Sequence, residues 1–205
     1  MELSSHHSVA VLAFPPTVGY PRLTRAVLKE MDDLLQEVQC SGLFRGVVIA
    51  ANGQSFATGA DITEVTSVEG LAARELAELG QRTCQRIEDF PFPVIAAIRG
   101  YCLGGALDLA LACHGRVAAY DASFGHPSAA LGLVTGWGGT QRLPRLVGKA
   151  AALQMFLTGD RIPATQALTM GLVDELAPSR DLLSAAARRA RSLRSLPFVR
   201  DHLAL

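Results

Sequence analysis

Three short runs limit the fold more than anything else in this chain: Val9-Ala-Val-Leu-Ala-Phe14, Gly46-Val-Val-Ile-Ala50 and Val94-Ile-Ala-Ala-Ile98. Each is apolar without interruption and none alternates with polar residues. A strand that reads this way is buried on both faces, as in a parallel sheet covered by helices. Helical periods separate the runs. Residues 22–39 place Leu23, Val27, Met31, Leu34 and Val38 on one stripe, and residues 68–89 do the same with Ala72, Leu76, Leu79 and Ile87. Pro91 and Pro93 end the second helix. Buried strands alternating with helices give an α/β fold with largely parallel strands.

The remainder is read with less contrast. Residues 1–8 are polar, with His6 and His7 in a frayed terminus, and residues 52–63 form a loop of small residues. A helix runs from Gly105 to about Cys113. Short strands are expected at 116–120, 122–124 and 173–176, and helices near 141–147, 149–157, 164–170 and 182–196. The last carries Arg188, Arg189, Arg191 and Arg194 and reads as a solvated basic face or an interface rim. The core is expected over residues 1–178, with a partial C-terminal helical segment over 179–205.

Composition excludes several classes. With 49% hydrophobic residues, the chain can bury enough surface to offset its ordering entropy, so disorder is excluded. Lys+Arg and Asp+Glu are both 19. A general nucleic-acid binder carries a basic excess, so no nucleic-acid partner is expected. Cys40, Cys84, Cys102 and Cys113 form no CxxC pair, which argues against zinc or thioredoxin chemistry. The longest apolar region, 94–112, is broken by Arg99, Asp108 and three glycines, so no membrane span is expected. No secretory leader is legible, and a cytoplasmic location is the expectation.

In parallel α/β folds ligands gather on the loops that leave the carboxyl ends of strands. Two loops qualify. Tyr101-Cys-Leu-Gly-Gly105 lies between the third run and a helix, where the first helical N–H groups lack partners and the dipole adds positive potential. Ser55-Phe-Ala-Thr-Gly-Ala-Asp61 follows the second run. Each has a bland reading, a tight glycine turn in one case and a helix cap by Asp61 in the other. Taken together, the loops bring two main-chain N–H groups toward one oxygen. That arrangement is an oxyanion hole, suited to a thioester enolate or a tetrahedral intermediate.

The sequence resembles the crotonase superfamily of enoyl-CoA hydratases and isomerases over residues 9–178. Four stretches carry the resemblance: Ser55-Phe-Ala-Thr-Gly-Ala-Asp-Ile-Thr-Glu64; residues 93–113, centred on Gly100-Tyr-Cys-Leu-Gly-Gly-Ala-Leu-Asp108; Phe124-Gly-His-Pro127; and Gly138-Gly-Thr-Gln-Arg-Leu-Pro-Arg-Leu-Val-Gly148 with Leu157-Thr-Gly-Asp160. It implies a spiral of ββα units with a short, truncated C-terminal helical region. It implies a thioester substrate on coenzyme A or a carrier phosphopantetheine, with no permanently bound cofactor and no metal. The thioester oxygen would be held by the amides of Ala60 and Gly105. Asp61, Ile62 and Gly104 would line the substrate path, and Trp137 would border the acyl pocket. A homo-oligomer, trimer or hexamer, is also implied.

The resemblance places two water-gripping glutamates where this chain has Asp108 and Ser128. Asp108 lies one helical turn past Gly105 and keeps a carboxylate with a reach shorter by about 1.5 Å, one carbon–carbon bond. Ser128 has no charge to offer. His126, two residues before it, is a candidate acid/base because an imidazole titrates near neutrality. Glu64 is a weaker candidate, since an acid at a helix start is commonplace. The expectation is therefore a thioester lyase or isomerase that works with one carboxylate. The alternatives are a thioester-binding homologue without turnover, or a decarboxylase or thioester hydrolase of the same superfamily. A Ser–His–Asp hydrolase is not favoured, because no Gly-x-Ser-x-Gly elbow is present.

Overall fold

The computed structural model describes residues 1–193. In it the three apolar runs become neighbours. β1 (Glu2–His6), β2 (Val9–Phe14), β3 (Gly46–Ala51), β4 (Val94–Ile98), β6 (Gly115–Ala119) and β9 (Glu175–Ala177) form one sheet in the order β1-β2-β3-β4-β6-β9. From β2 onward every neighbour is parallel. β2 and β4 are buried along their whole length, as runs without alternation require.

Two layers cover the sheet. On one side lie α1 (Arg25–Ser41), α3 (Gly70–Glu88) and α4 (Gly105–Ala112). α1 buries Leu28, Met31, Leu35 and Val38. Truncating one of these to alanine would cost about 2–5 kcal/mol. On the other side α8 (Leu182–Ser192) packs Ala185, Ala186, Ala187 and Ala190 on Val9, Val11, Val48, Ile95 and Val117. Its Arg188 and Arg189 pair with Glu175 and Asp174 at 2.6 and 3.0 Å. The helix that reads as a solvated basic face thus has a buried alanine face and arginines engaged by the sheet edge. Arg194 and the rest of 194–205 lie outside the described residues.

A second, smaller sheet runs β5-β7-β8, with β5 (Tyr101–Leu103), β7 (Ser123–Gly125) and β8 (Ile162–Pro163). Ala57 joins it by a parallel bridge to Cys102. Each repeat therefore gives one strand to the large sheet, one stretch to the small sheet, and then a helix. β3 continues to Ala57 and then α2 (Ile62–Thr66) and α3; β4 continues to β5 and α4; β6 continues to β7 and a 3-10 turn at Pro127–Leu131. This is the expected spiral of ββα units. The remaining helices are α5 (Gly139–Val147), α6 (Lys149–Thr158) and α7 (Ala164–Thr169).

Three local readings are corrected. Residues 2–6 are not frayed: β1 pairs antiparallel with β2 across a tight turn in which His7 has φ 56°. An edge strand is held by pairing with its neighbour and needs little burial of its own: only Leu3 and His6, on opposite faces, are half-buried. α1 starts at Arg25 because the Thr24 hydroxyl accepts from the Val27 amide, while Leu23 bridges to Ala60. The stretch read as a loop over 52–63 and a helix from 68 contains two helices, because the Asp61 carboxylate accepts from the amides of Thr63 and Glu64 and starts α2. Among the described residues no helix is long and apolar enough to cross a membrane.

Candidate active site

The small sheet puts the two glycine loops side by side. Ala57 donates to Tyr101 O at 3.0 Å, and Leu103 donates to Ala57 O at 3.1 Å, so Ala57 and Cys102 are in register. Each chain then turns at a glycine with positive φ, Gly59 at 99° and Gly104 at 55°. Glycine adopts these angles without the clash a side chain would bring. The next residues, Ala60 and Gly105, each stand three positions past the paired residues. Among the described residues neither of their amides donates to a protein acceptor, whereas Gly104 donates to Gly125 O at 2.9 Å. The loops touch: a Cβ built on Gly59 would lie 3.2 Å from the Gly105 nitrogen.

These turns open into a cavity of about 360 Å³. Thr58, Gly59, Ala60 and Ile62 line it from the first loop, and Gly104, Gly105 and Asp108 line it from the second. Val65, Val68, Ala73, Leu76 and Ala77 come from α2, α3 and the link between them. Pro127, Ser128, Leu131 and residues 133–137, including Trp137, close the far side. Among the described residues Asp108 is the one ionisable group in this wall.

Asp108 is fully buried. Its Oδ2 accepts from the Thr135 hydroxyl and from the Trp137 amide, the latter at 3.1 Å. Its Oδ1 lies against Gly139, where a Cβ would fall 2.0 Å away, and accepts no hydrogen bond of good geometry. Burial pushes its pKa up to about 6, outweighing the lowering by Thr135 and by main-chain amides. A carboxyl group poised there changes charge near neutrality, as proton transfer at carbon requires.

His126 Nε2 stands 3.9 Å from Asp108 Oδ1, too far for a hydrogen bond. Neither ring nitrogen has a partner among the described residues, and the ring packs at 5.1 Å on Phe156. Burial holds its pKa down to about 4, so it is neutral at pH 7.

The remaining sequence candidates divide as follows. Ile62, Gly104, Ser128 and Trp137 line the cavity; Asp61 and His126 do not. Asp61 caps α2 and meets Arg22 at 3.2 Å, which with the α2 amides holds its pKa below the usual carboxylate value. Glu64 also turns away, because its carboxylate accepts from the Arg25 amide at 2.8 Å and caps α1. His126 and Ser128 do not share a face as an extended segment would give, because the chain enters the 3-10 turn between them. Sequence reasoning missed Thr135, Gly139 and Gly80. Gly139 stands in the Gly138–Gly148 stretch, but Thr135 draws attention only once its hydroxyl meets Asp108.

Comparison with known proteins agrees with this architecture. The family model described as enoyl-CoA hydratase/isomerase matches residues 7–202. A Bacillus subtilis (strain 168) protein described as a probable enoyl-CoA hydratase is 44% identical over 176 residues, spanning 84% of this chain and 67% of that one. The solved enoyl-CoA hydratase from Bacillus anthracis superposes with a TM-score of 0.87 at 33% identity, over 93% of this chain and 74% of that one. DspI from Pseudomonas aeruginosa gives 0.85 at 32% identity, over 93% and 72%. By sequence and by fold, the chain belongs to the enoyl-CoA hydratase/isomerase family and is an enzyme of that kind.

Proposed function

We infer that the chain binds an acyl thioester of coenzyme A or of a carrier phosphopantetheine, and moves a proton at the acyl carbons with Asp108 as the acid/base. The observation that carries this reading is the pair of undirected amides, Ala60 and Gly105, on touching loops beside one buried carboxylate. Two fixed donors placed in a dry site stabilise an enolate oxygen more than the neutral carbonyl it comes from.

In isomerisation the Asp108 carboxylate takes a proton from carbon. The electron pair passes through the acyl carbons to the thioester oxygen, held by the two amides. The carboxylic acid then returns the proton to a different carbon, and the double bond shifts. One carboxylate suffices, because it is base in the first step and acid in the second. Hydration needs a water held and split as well. At the cavity wall Ser128 stands where the family resemblance expects a second glutamate, so hydration is the less favoured outcome. Decarboxylation or thioester hydrolysis in the same site is the second reading, supported by the same serine, because neither needs a second glutamate.

A panel of β,γ-enoyl, α,β-enoyl, carboxylated and aryl thioesters tests this, on coenzyme A and on a carrier protein. Mass spectrometry follows addition of water, loss of carbon dioxide and hydrolysis; absorbance follows isomerisation. Isomerisation that Asp108→Asn abolishes supports the reading. Loss of carbon dioxide or hydrolysis, with no isomerisation, assigns the chain to the second reading. Exposed Leu146, Leu153, Leu157 and Leu168 on α5, α6 and α7 also support self-association, which sedimentation tests directly.

A further inference from the structure

Trp137 is the only tryptophan of the chain. Its indole fills a space that two glycines leave. A Cβ built on Gly80 of α3 would lie 2.2 Å from its Cε2 and Nε1. A Cβ built on Gly105 of α4 would lie 2.5 Å from its Cζ3 and 2.7 Å from its Cε3. The two glycines therefore touch opposite ends of one ring system. The main chain of Trp137 is tied just as closely. Its amide donates to Asp108 Oδ2 at 3.1 Å, and its carbonyl accepts from Arg142 Nη1 at 3.0 Å. Arg142 in turn reaches Glu88 on α3 at 2.6 Å. One residue thus contacts the α3 helix, the Gly105 turn and the Asp108 carboxylate.

We propose that Trp137, clasped between Gly80 and Gly105, is a positioning residue that sets the Gly105 amide and the Asp108 carboxylate relative to each other, and that Gly80 determines where the clasp closes. Gly80 sits inside a helix, where glycine is a poor choice on propensity alone. The ring against it supplies the reason. An alanine there must push the ring from 2.2 Å to a contact distance of about 3.5 Å, a displacement of about 1.3 Å. Errors of about 1 Å at a reacting centre can lower a rate by roughly a hundredfold. The inference rests on the proposed function for its kinetic readouts, and on the tryptophan itself for a readout that needs no turnover.

The test uses Gly80→Ala, Trp137→Phe and the double variant, each confirmed folded by circular dichroism. For Gly80→Ala we expect kcat to fall by roughly 10- to 100-fold, with KM changed far less. The acid limb of the pH profile moves upward as the Trp137 amide draws back from Asp108 and the carboxylate loses a donor. Tryptophan emission, which reports Trp137 alone, shifts. In the Trp137→Phe background the smaller ring leaves room for the added methyl, so Gly80→Ala costs much less there. Equal losses in both backgrounds, or an unmoved acid limb and emission in Gly80→Ala, would overturn the proposal. If Gly80→Ala does not fold, Trp137→Phe decides alone: the clasp requires its kcat to fall and its acid limb to move. Should the wild type turn over no thioester, the proposed function fails separately, and the emission of folded Gly80→Ala still decides the clasp.

Discussion

Replacing Asp108 with asparagine removes a charge and keeps the shape, so it separates the cost of the carboxylate from its use. In the folded chain burial pushes the group up to about 6, against 3.8 for an ordinary aspartate in water. Two pKa units correspond to about 3 kcal/mol, since one unit is about 1.4 kcal/mol. The folded-state pKa is raised, so the associated stability is fully present below 3.8 and is lost as pH rises through 6. Above that pH the wild type carries a buried charge that the unfolded chain leaves in water. The asparagine carbonyl can still accept from Thr135 and Trp137. Its amide nitrogen takes the Oδ1 position beside the Gly139 amide, itself a donor, and this adds a pH-independent cost of about 1–3 kcal/mol. The quantity to measure is therefore the change with pH. Between pH 3 and pH 8 the stability of Asp108→Asn relative to wild type should rise by about 3 kcal/mol, or roughly 6–12 °C in melting temperature for a chain of this size. Turnover should fall by about 10²- to 10⁴-fold. Denaturant or thermal melts across that range decide the matter. A stability difference that does not vary with pH would refute the claim that burial tunes this carboxylate.

His126 should give the opposite slope: its folded pKa, about 4, lies below 6.5, so stability is present above 6.5 and lost as pH falls through 4. Melts of His126→Leu should therefore lack a loss of about 3 kcal/mol over that range, and near-normal turnover would keep the ring out of the chemistry. Thr135→Val removes the hydroxyl donor from Asp108 Oδ2; the acid limb of kcat/KM should move upward, and an unmoved limb would mean that the hydroxyl does not tune the acid. Gly59→Ala forces a side chain onto φ 99° with its Cβ 2.9 Å from Leu103 O. It should cost about 1–3 kcal/mol in melts and weaken binding of a saturated acyl thioester, measured by calorimetry; wild-type affinity would show that the loop geometry at Ala60 does not hold the ligand.

The parts of the fold that periodicity controls were legible. β2, β3 and β4 declare themselves because burial on both faces leaves no polar residue in the run, and α1 because its apolar stripe repeats at the helical period. β1 was not legible, since an edge strand is held by pairing with β2 and its residues 2–6 carry little hydrophobic signal. The break between α2 and α3 was missed because the Asp61 cap starts a five-residue helix with no buried residue of its own. At the site, glycine turns after parallel strands can be read from sequence, since the chain must turn there. Gly80, Thr135 and Gly139 cannot, because their meaning is a contact made across the fold: Gly80 lies 57 positions from Trp137, and Thr135 and Gly139 are 27 and 31 from Asp108. Glu64 and His126 look alike as candidate acids or bases in sequence. Hydrogen bonding makes the first a helix cap, and packing beside Phe156 takes the second out of the cavity wall.

A crystal structure of the chain with a saturated acyl-coenzyme A, which binds without a double bond to rearrange, tests the account at its centre. The thioester oxygen should lie about 2.7–3.1 Å from both the Ala60 and the Gly105 nitrogens, with the Asp108 carboxylate beside the acyl carbons. A thioester oxygen that meets neither amide, or only one, would contradict the account.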